Sequence, residues 1–174
     1  MHGLDIRPTA DRLRETLFNV LTAGNPQALE GAVWVDLFAG TGAVGIEALS
    51  RGVARVCFVE QSRRAAQVIR ENLASLKITG GTEILQQDVS HAIPQLARQG
   101  LRANFVFLDP PYRVQNGYRD TLEALATSEF AADALVIAEH DKRFDPGESF
   151  GDLRRTRILQ QGDATLSFYR RRKP

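Results

Sequence analysis

Apolar residues in this chain form short continuous runs that alternate with stretches of helical spacing. Near the start, four aliphatic residues recur at i, i+4, i+7 and i+8 and predict an amphipathic helix of about 14 residues after Pro8-Thr9. These residues are Leu13, Leu17, Val20 and Leu21. Gly24 can end that helix, because glycine is favoured just beyond a helix terminus.

Five apolar runs predict buried strands, and amphipathic helices separate them. The predicted strands are 33–38, 55–60, 83–87, 105–108 and 135–138, and two later runs, 155–160 and 165–171, flank Gly162-Asp163 as a hairpin. Strands that are apolar throughout need cover on both faces, which is typical of a parallel, doubly wound α/β sheet. The hairpin would place an antiparallel strand at one edge. In such sheets the ligand site lies at the carboxyl ends of the strands.

Length and composition favour one domain over residues 1–174, with an N-terminal segment and helix over 1–24 and a Rossmann-like core over 25–174. No apolar run approaches the roughly 20 residues of a membrane span, and no signal-peptide pattern opens the chain. Cys57 is the only cysteine in the sequence, so no internal disulfide can form. We therefore expect a cytoplasmic, monomeric protein without membrane contact.

Positive charge is concentrated at the end of the chain. Residues 151–174 hold seven Lys or Arg against two Asp and so carry +5, while the remainder carries −4. A basic chain end can attract the phosphate groups of a nucleic acid. The same positive charge is typical of a solvent-exposed edge strand, where basic residues prevent pairing with strands of other molecules.

A glycine loop follows the first predicted strand. Gly40-Thr41-Gly42-Ala43-Val44-Gly45 fits G-x-G-x-x-G, and Glu60 lies 20 residues beyond Gly40, which meets the spacing of the dinucleotide fingerprint. One interpretation of this spacing is therefore that the protein is an NAD-dependent oxidoreductase. Glu60 could accept both ribose hydroxyls of any adenosine.

Two further acids favour S-adenosyl-L-methionine over a dinucleotide. Asp36 precedes the glycines, where it would repel a pyrophosphate but suits a cofactor with a sulfonium and an amino group. Asp88 ends the third predicted strand, where it can accept from an adenine amine while Val89 packs on the ring. The alternative for each acid alone is that it caps the following helix.

The motif Asp109-Pro110-Pro111-Tyr112 follows the fourth predicted strand. An exocyclic base amine is a poor nucleophile because its lone pair is delocalised into the ring. If Asp109 and the Pro110 carbonyl accept its two hydrogens, the lone pair can be directed at a methyl group, and positioning supplies most of the catalysis. Tyr112 can stack on the base, which must be single-stranded or flipped out. The alternative is a plain Pro-Pro turn.

A polar cluster opens the predicted N-terminal helix. Arg7, Thr9 and Arg12 could approach the cofactor carboxylate or an RNA phosphate, or they could belong to a capped helix with a surface ion pair. The three histidines, His2, His91 and His140, are scattered and do not resemble a metal site. We therefore expect no metal.

Three motifs together resemble the RsmD family, bacterial 16S rRNA guanine-N2 methyltransferases. The resemblance rests on 7–19 (RPTADRLRETLFN), 36–42 (DLFAGTG) and 109–112 (DPPY). It implies a seven-stranded, mostly parallel Rossmann-like methyltransferase sheet, and the small ribosomal subunit or an assembly intermediate as substrate. The implied cofactor residues are Asp36, Phe38, Ala39, Gly40, Thr41, Gly42, Glu60, Gln61, Asp88, Val89 and Asp109. The implied catalytic residues are Asp109, Pro110 and Tyr112, with Arg7, Thr9, Arg12, Pro111, Tyr112 and Arg113 at the RNA substrate.

Family members usually carry further residues before the Arg-Pro-Thr motif, including a basic, glycine-containing hairpin. If that hairpin binds RNA, a chain that starts at Met1 lacks the contact, and we expect it to bind cofactor well and the ribosome poorly. The residues alone leave other functions open. These are an adenine-N6 DNA methyltransferase or another RNA amino-methyltransferase, a non-catalytic RNA-binding module, and the oxidoreductase above.

Overall fold

The computed structural model describes residues 6–114 and 116–174, with residues 6–9 described by their backbone alone. The helices are α1 (Ile6–Thr22), α2 (Ala43–Ser50), α3 (Arg63–Ser75), α4 (Val89–Arg98) and α5 (Gly117–Thr127), followed by a 3-10 turn at Glu129–Ala131. The strands are β1 (Val33–Leu37), β2 (Arg55–Val59), β3 (Thr82–Leu85), β4 (Phe105–Leu108), β5 (Leu135–Asp141), β6 (Ser149–Phe150), β7 (Leu153–Gln161) and β8 (Ala164–Arg171).

These strands form one sheet in the order β3-β2-β1-β4-β5-β8-β7-β6. Strands β1 to β5 are parallel, and β8 runs antiparallel between β5 and β7. The crossover between β3 and β4 reverses the direction in which strands are added, so the topological switch lies between β1 and β4. A doubly wound sheet binds its ligand at this switch. The predicted fold class is confirmed.

The C-terminal hairpin lies toward one edge of the sheet, as predicted. Its strand β8, with the buried stretch 165–169, pairs with β5, and the more exposed β7 lies nearer the edge. Two other details of the sheet differ from the prediction. There are eight described strands rather than seven, since the two-residue β6 pairs with β7. Strand β3 ends at Leu85, two residues before its predicted end, so Asp88 caps α4 instead of ending the strand.

Apolar side chains alternate between the two faces of the sheet and build one core on each. Helices α1, α2 and α3 cover one face, and α4 and α5 cover the other. The indole of Trp34 lies between Phe18 of α1 and Phe105 of β4, with ring centroids 5.4 and 5.3 Å away. Burial of three aromatic rings in one stack fixes α1 against the sheet.

Cys57 lies on β2 and is fully buried. Desolvation raises the pKa of its thiol to about 12. The thiolate, which is the reactive form, is therefore suppressed at neutral pH. No helix in the described part of the chain is both long and apolar enough to cross a bilayer.

Candidate active site

One cavity of about 1150 Å³ opens at the carboxyl ends of the parallel strands. Its wall is formed by residues that follow β1, β2, β4 and β5, by the start of α4, and by the tip of the β7–β8 hairpin. The residues of this wall that the sequence predicted are Phe38, Gly40, Glu60, Gln61, Asp88, Val89, Asp109, Pro110, Pro111, Tyr112 and Arg113. The structure therefore brings seven of the eleven predicted cofactor residues and the Asp-Pro-Pro-Tyr motif into a single space.

The glycine loop between β1 and α2 is held in place by carboxylates. Gly42 has a φ of 80°, a left-handed conformation that glycine adopts without strain. Asp36 accepts the amide of Gly45 at 3.1 Å and is only 2% exposed. Burial raises the pKa of Asp36 well above its ordinary value, opposed by the Gly45 amide. Asp36 thus supports the start of α2 from behind the cavity wall.

Gly45 brings α2 close to β2. A Cβ built on Gly45 would lie 2.5 Å from Cε1 of Phe58 and 2.8 Å from Cγ1 of Val56. Carbon atoms do not approach so closely without displacement, so any side chain here pushes the helix outward. The third glycine of the motif is therefore required by packing. Ala39, Thr41 and Gly42 belong to the same loop but do not line the cavity.

Glu60 organises the loop and still faces the cavity. One carboxylate oxygen accepts the amide of Gly40 at 2.9 Å, and the other accepts the amide of Ser62 at 2.7 Å. An ionised carboxylate has about four acceptor positions, so two remain for hydroxyl groups of a ligand. The ribose contact predicted for Glu60 is compatible with this geometry.

Asp88 has both of the roles that the sequence left open. It caps α4 by accepting the amide of Ser90 at 2.8 Å, and it lines the cavity. The hydrogen bonds from Ser90 lower the pKa of Asp88 below its ordinary value. Its carboxylate is therefore ionised at neutral pH and keeps one oxygen for a donor such as an adenine amine.

The Asp109-Pro110-Pro111-Tyr112 turn lies beside the switch point. Asp109 is exposed to the cavity. The protein atoms around the cavity partly desolvate its carboxyl group, and this raises its pKa to about 6. Pro110 is buried, and the Pro111 carbonyl accepts the amide of Val114 at 2.9 Å. Tyr112 is 96% exposed, so its whole ring face is free to stack on a planar ligand.

The cavity continues past this turn to residues for which the sequence predicted no place in the site. Glu139, His140 and Asp141 end β5, and Tyr118 and Phe144 form the wall beside them. The Tyr118 hydroxyl donates to the backbone carbonyl of Glu139 at 2.6 Å. The signal was present in the sequence, because polar residues directly follow the apolar run 135–138 just as Asp109 follows 105–108.

Glu139 is half-buried, and its pKa is raised to about 7. Desolvation is the main cause, and the charge of Asp109 adds to it. The guanidinium of Arg14 on α1 acts in the opposite direction. Two neighbouring carboxylates thus share the floor of the cavity, and a ligand that donates hydrogen bonds to both would relieve their repulsion.

The structure describes only one of the three side chains that were predicted to contact RNA near the N-terminus. Arg12 is exposed on α1 and does not line the cavity, whereas the side chains of Arg7 and Thr9 lie outside the described part of the structure. Their roles stay predictions. Among the described residues, no group of three or more His, Cys, Asp or Glu is arranged to hold a metal ion.

Comparison with known proteins identifies relatives along nearly the whole chain. The family model described as "Conserved hypothetical protein 95" matches residues 1–170. The candidate rRNA methyltransferase YlbH of Bacillus subtilis is 34% identical over 98% of this chain and 90% of its own length. Ribosomal RNA small subunit methyltransferase D of Escherichia coli is 39% identical over 78% of this chain and 65% of its own length.

A solved structure agrees with these sequence matches. The candidate methyltransferase yhhF of Escherichia coli superposes with a TM-score of 0.77 at 33% identity, over 94% of this chain and 88% of that chain.

Proposed function

Because this chain belongs to the RsmD family, we propose that it methylates the exocyclic N2 amine of a guanine in 16S rRNA, with S-adenosyl-L-methionine as the methyl donor. The observation that carries the proposal is the single cavity lined by Glu60, Asp88 and the Asp109–Tyr112 turn. Acids suited to an adenosine lie on one side of that cavity, and an amine acceptor lies on the other.

The residues present fit S-adenosyl-L-methionine. Glu60 would accept the ribose hydroxyls with its two remaining acceptor positions, Asp88 would accept the adenine amine, and the half-buried Phe38 would lie against the methionine part near Gly40. The ionised carboxylate of Asp88 at the cavity wall favours a cationic ligand over a diphosphate. When bound, this cofactor supplies a methyl group already activated by its sulfonium.

The chain's own residues orient the amine. Asp109 accepts one N2 hydrogen and the carbonyl of Pro110 accepts the other, which turns the nitrogen lone pair toward the methyl carbon. The cofactor would supply the methyl group to the amine nitrogen and would leave as a neutral thioether, and Asp109 would take up the surplus proton of the amine and pass it to water. Tyr112 stacks on the base and holds its plane. Positioning and charge placement thus provide the rate enhancement.

The base must leave its helix to enter the cavity, so the substrate is an unpaired or flipped-out guanine. We place the reaction in the cytoplasm, on the small ribosomal subunit or an assembly intermediate, with the enzyme acting as a monomer. Naked 16S rRNA and intact subunits, assayed side by side, separate the two kinds of substrate.

The test is methyl transfer from labelled S-adenosyl-L-methionine to small subunits from cells that lack the protein. Mass spectrometry of the digested rRNA should show one new N2-methylguanine. A methylated adenine in its place would assign the adenine-N6 alternative, and no transfer to any RNA would overturn the proposal. Calorimetric titration decides the cofactor, because binding of NAD without binding of S-adenosyl-L-methionine would reverse the assignment.

A further inference from the structure

Glu139 is placed beside Asp109 by the register of the sheet. Strands β4 and β5 are parallel, and Leu108 pairs with Ala138 in the last matched position. Leu108 and Ala138 point into the same core, so the next residue of each strand, Asp109 and Glu139, points to the opposite face. Both line the cavity. Two carboxylates thus lie next to each other at the ends of adjacent strands.

The order of the strands divides the cavity between its two ligands. The residues that fit the cofactor follow β1, β2 and β3, which lie on one side of the switch. Strands β4 and β5 lie on the other side. A base whose amine reaches Asp109 therefore extends toward β5, and the first polar side chain on that strand is Glu139.

The surroundings of Glu139 leave its carboxylate directed at a ligand. Tyr118 of α5 donates to the backbone carbonyl of Glu139, and the neighbouring His140 ring contacts Ser167 of β8 at 2.8 Å. Arg14 of α1 and Asp109 are the charged groups that act on it most strongly. Within the described part of the chain, the hydrogen bonds do not include one that uses the Glu139 carboxylate.

Guanine presents its N1 hydrogen and one N2 hydrogen side by side on its Watson–Crick edge, and its other N2 hydrogen points toward the sugar edge. We propose that Glu139 is a specificity-determining residue that accepts the N1 hydrogen of the target guanine while Asp109 accepts an N2 hydrogen. This inference rests on the proposed function, and it assigns the base selectivity to a residue outside the Asp-Pro-Pro-Tyr motif. The donors of the base offset the repulsion between the two carboxylates, so a base with this pattern is favoured.

Adenine presents the opposite pattern beside its amine. Its N1 carries a lone pair, and an ionised Glu139 facing that lone pair leaves two acceptors opposed in a partly desolvated site. A site built to hydrogen-bond a donor rejects a ligand that lacks it, because the protein group is left unpaired. In its ionised form, Glu139 therefore selects against adenine as well as for guanine.

The test uses 2-aminopurine, which keeps the 2-amine but has a lone pair at N1. The target position, mapped as above, is replaced in 16S rRNA by splinted ligation, and the RNA is assembled into small subunits. Wild type, Glu139→Gln, Glu139→Ala and the matched surface variant Glu123→Gln are compared for kcat/KM on guanine and on 2-aminopurine. Binding of S-adenosyl-L-methionine, measured by calorimetry, shows that each variant is folded.

Wild type and Glu123→Gln should prefer guanine by at least roughly tenfold, and Glu139→Ala should lose roughly ten- to a hundredfold on guanine. Glu139→Gln should gain on 2-aminopurine relative to guanine, because its amide can donate to N1. An unchanged preference in Glu139→Gln, with cofactor binding intact, overturns the inference while the methyltransferase activity stands. Failure of wild type to methylate the guanine subunits would instead overturn the proposed function.

Discussion

The two ends of the sheet carry different ionisable side chains. At the carboxyl ends of the parallel strands, the acids Asp36, Glu60, Asp88, Asp109 and Glu139 surround or support the cavity. At the other end of the β7–β8 ladder, Arg154 pairs with Arg170, and Leu153 with Arg171. The cavity end of the same ladder is Gln161 paired with Ala164. The length of β8 separates the ends by roughly 24 Å.

Not all of the basic residues are available to a partner. Arg155 is paired with Asp145 at 2.6 Å, and Arg171 donates to the carbonyls of Leu125 and Ser128 at the end of α5. Arg170 and Arg172 are exposed. Under the proposed function the acidic end carries out methyl transfer, while only part of the basic end is free to attract phosphate. A substrate that uses both ends must be large, as a ribosomal subunit is.

The largest effect should come from the acidic end. Asp109→Ala removes the acceptor of the amine, and we expect kcat to fall by roughly a hundred- to a thousandfold. Binding of S-adenosyl-L-methionine should persist, because Glu60 and Asp88 are intact. Single-turnover methyl transfer and calorimetry measure the two quantities. Retained activity would remove Asp109 from the mechanism.

The next effect concerns the packing that holds the acidic end together. Gly45→Ala places a methyl group against Phe58 and Val56, so we expect a loss of about 2 kcal/mol in the free energy of unfolding. Gly24→Ala is the control, since nothing lies within 4 Å of a Cβ at that position. Urea unfolding compares the two variants. Equal stability would show that α2 can move away from β2 without cost.

A smaller effect is expected in the pH dependence of stability. The folded pKa values of Asp109 and Glu139, about 6 and about 7, lie above the ordinary values of 3.8 and 4.5. The native state therefore binds more protons than the unfolded chain, and stability should fall as pH rises from about 4 to about 7.

Glu139→Gln should reduce that fall and stabilise the cofactor-free protein at pH 8 by about 1 kcal/mol, a value that allows for solvent screening. Thermal unfolding at several pH values measures it, with Glu123→Gln as the control. A pH dependence that stays as steep as that of wild type would exclude Glu139 as one of the titrating groups.

The smallest effect is expected at the basic end. Replacing Arg170 and Arg172 by Ala should raise KM for small subunits roughly two- to fivefold and reduce the salt dependence of binding by about one phosphate contact per residue. The value of kcat should not change, because the cavity is distant. A lower kcat with saturating subunits would contradict the separation of the two ends.

Much of the fold could be predicted because its strands are apolar throughout. The runs that became β1, β2, β4 and β5 needed burial on both faces, and only a covered parallel sheet provides it. The hairpin lies toward one edge of the sheet as predicted, but its pattern does not say which of its two strands pairs with β5. The two-residue β6 is too short to have any periodicity.

The candidate site could be predicted in part, because polar residues at the ends of apolar runs are visible in the sequence. A polar residue directly after an apolar run marks the end of a strand. Glu60 and Asp109 both have such positions, so the sequence predicts that they lie at the same ligand site. The apolar run that predicts β5 stops at Ala138, so it does not reach Glu139, which the structure includes in the strand. Asp36 and Asp88 were named from their positions alone, and only the structure shows that each also binds a helix amide.

The burial of Cys57 makes the chain a convenient subject for chemical labelling. Its thiol is enclosed by the core and protonated at neutral pH, so maleimide reagents will leave the native protein unmodified. A cysteine introduced at the exposed position of Phe144, on the cavity rim, would then be the one reactive thiol in the chain. A fluorophore attached there would report ligand entry in real time without any background from the rest of the molecule.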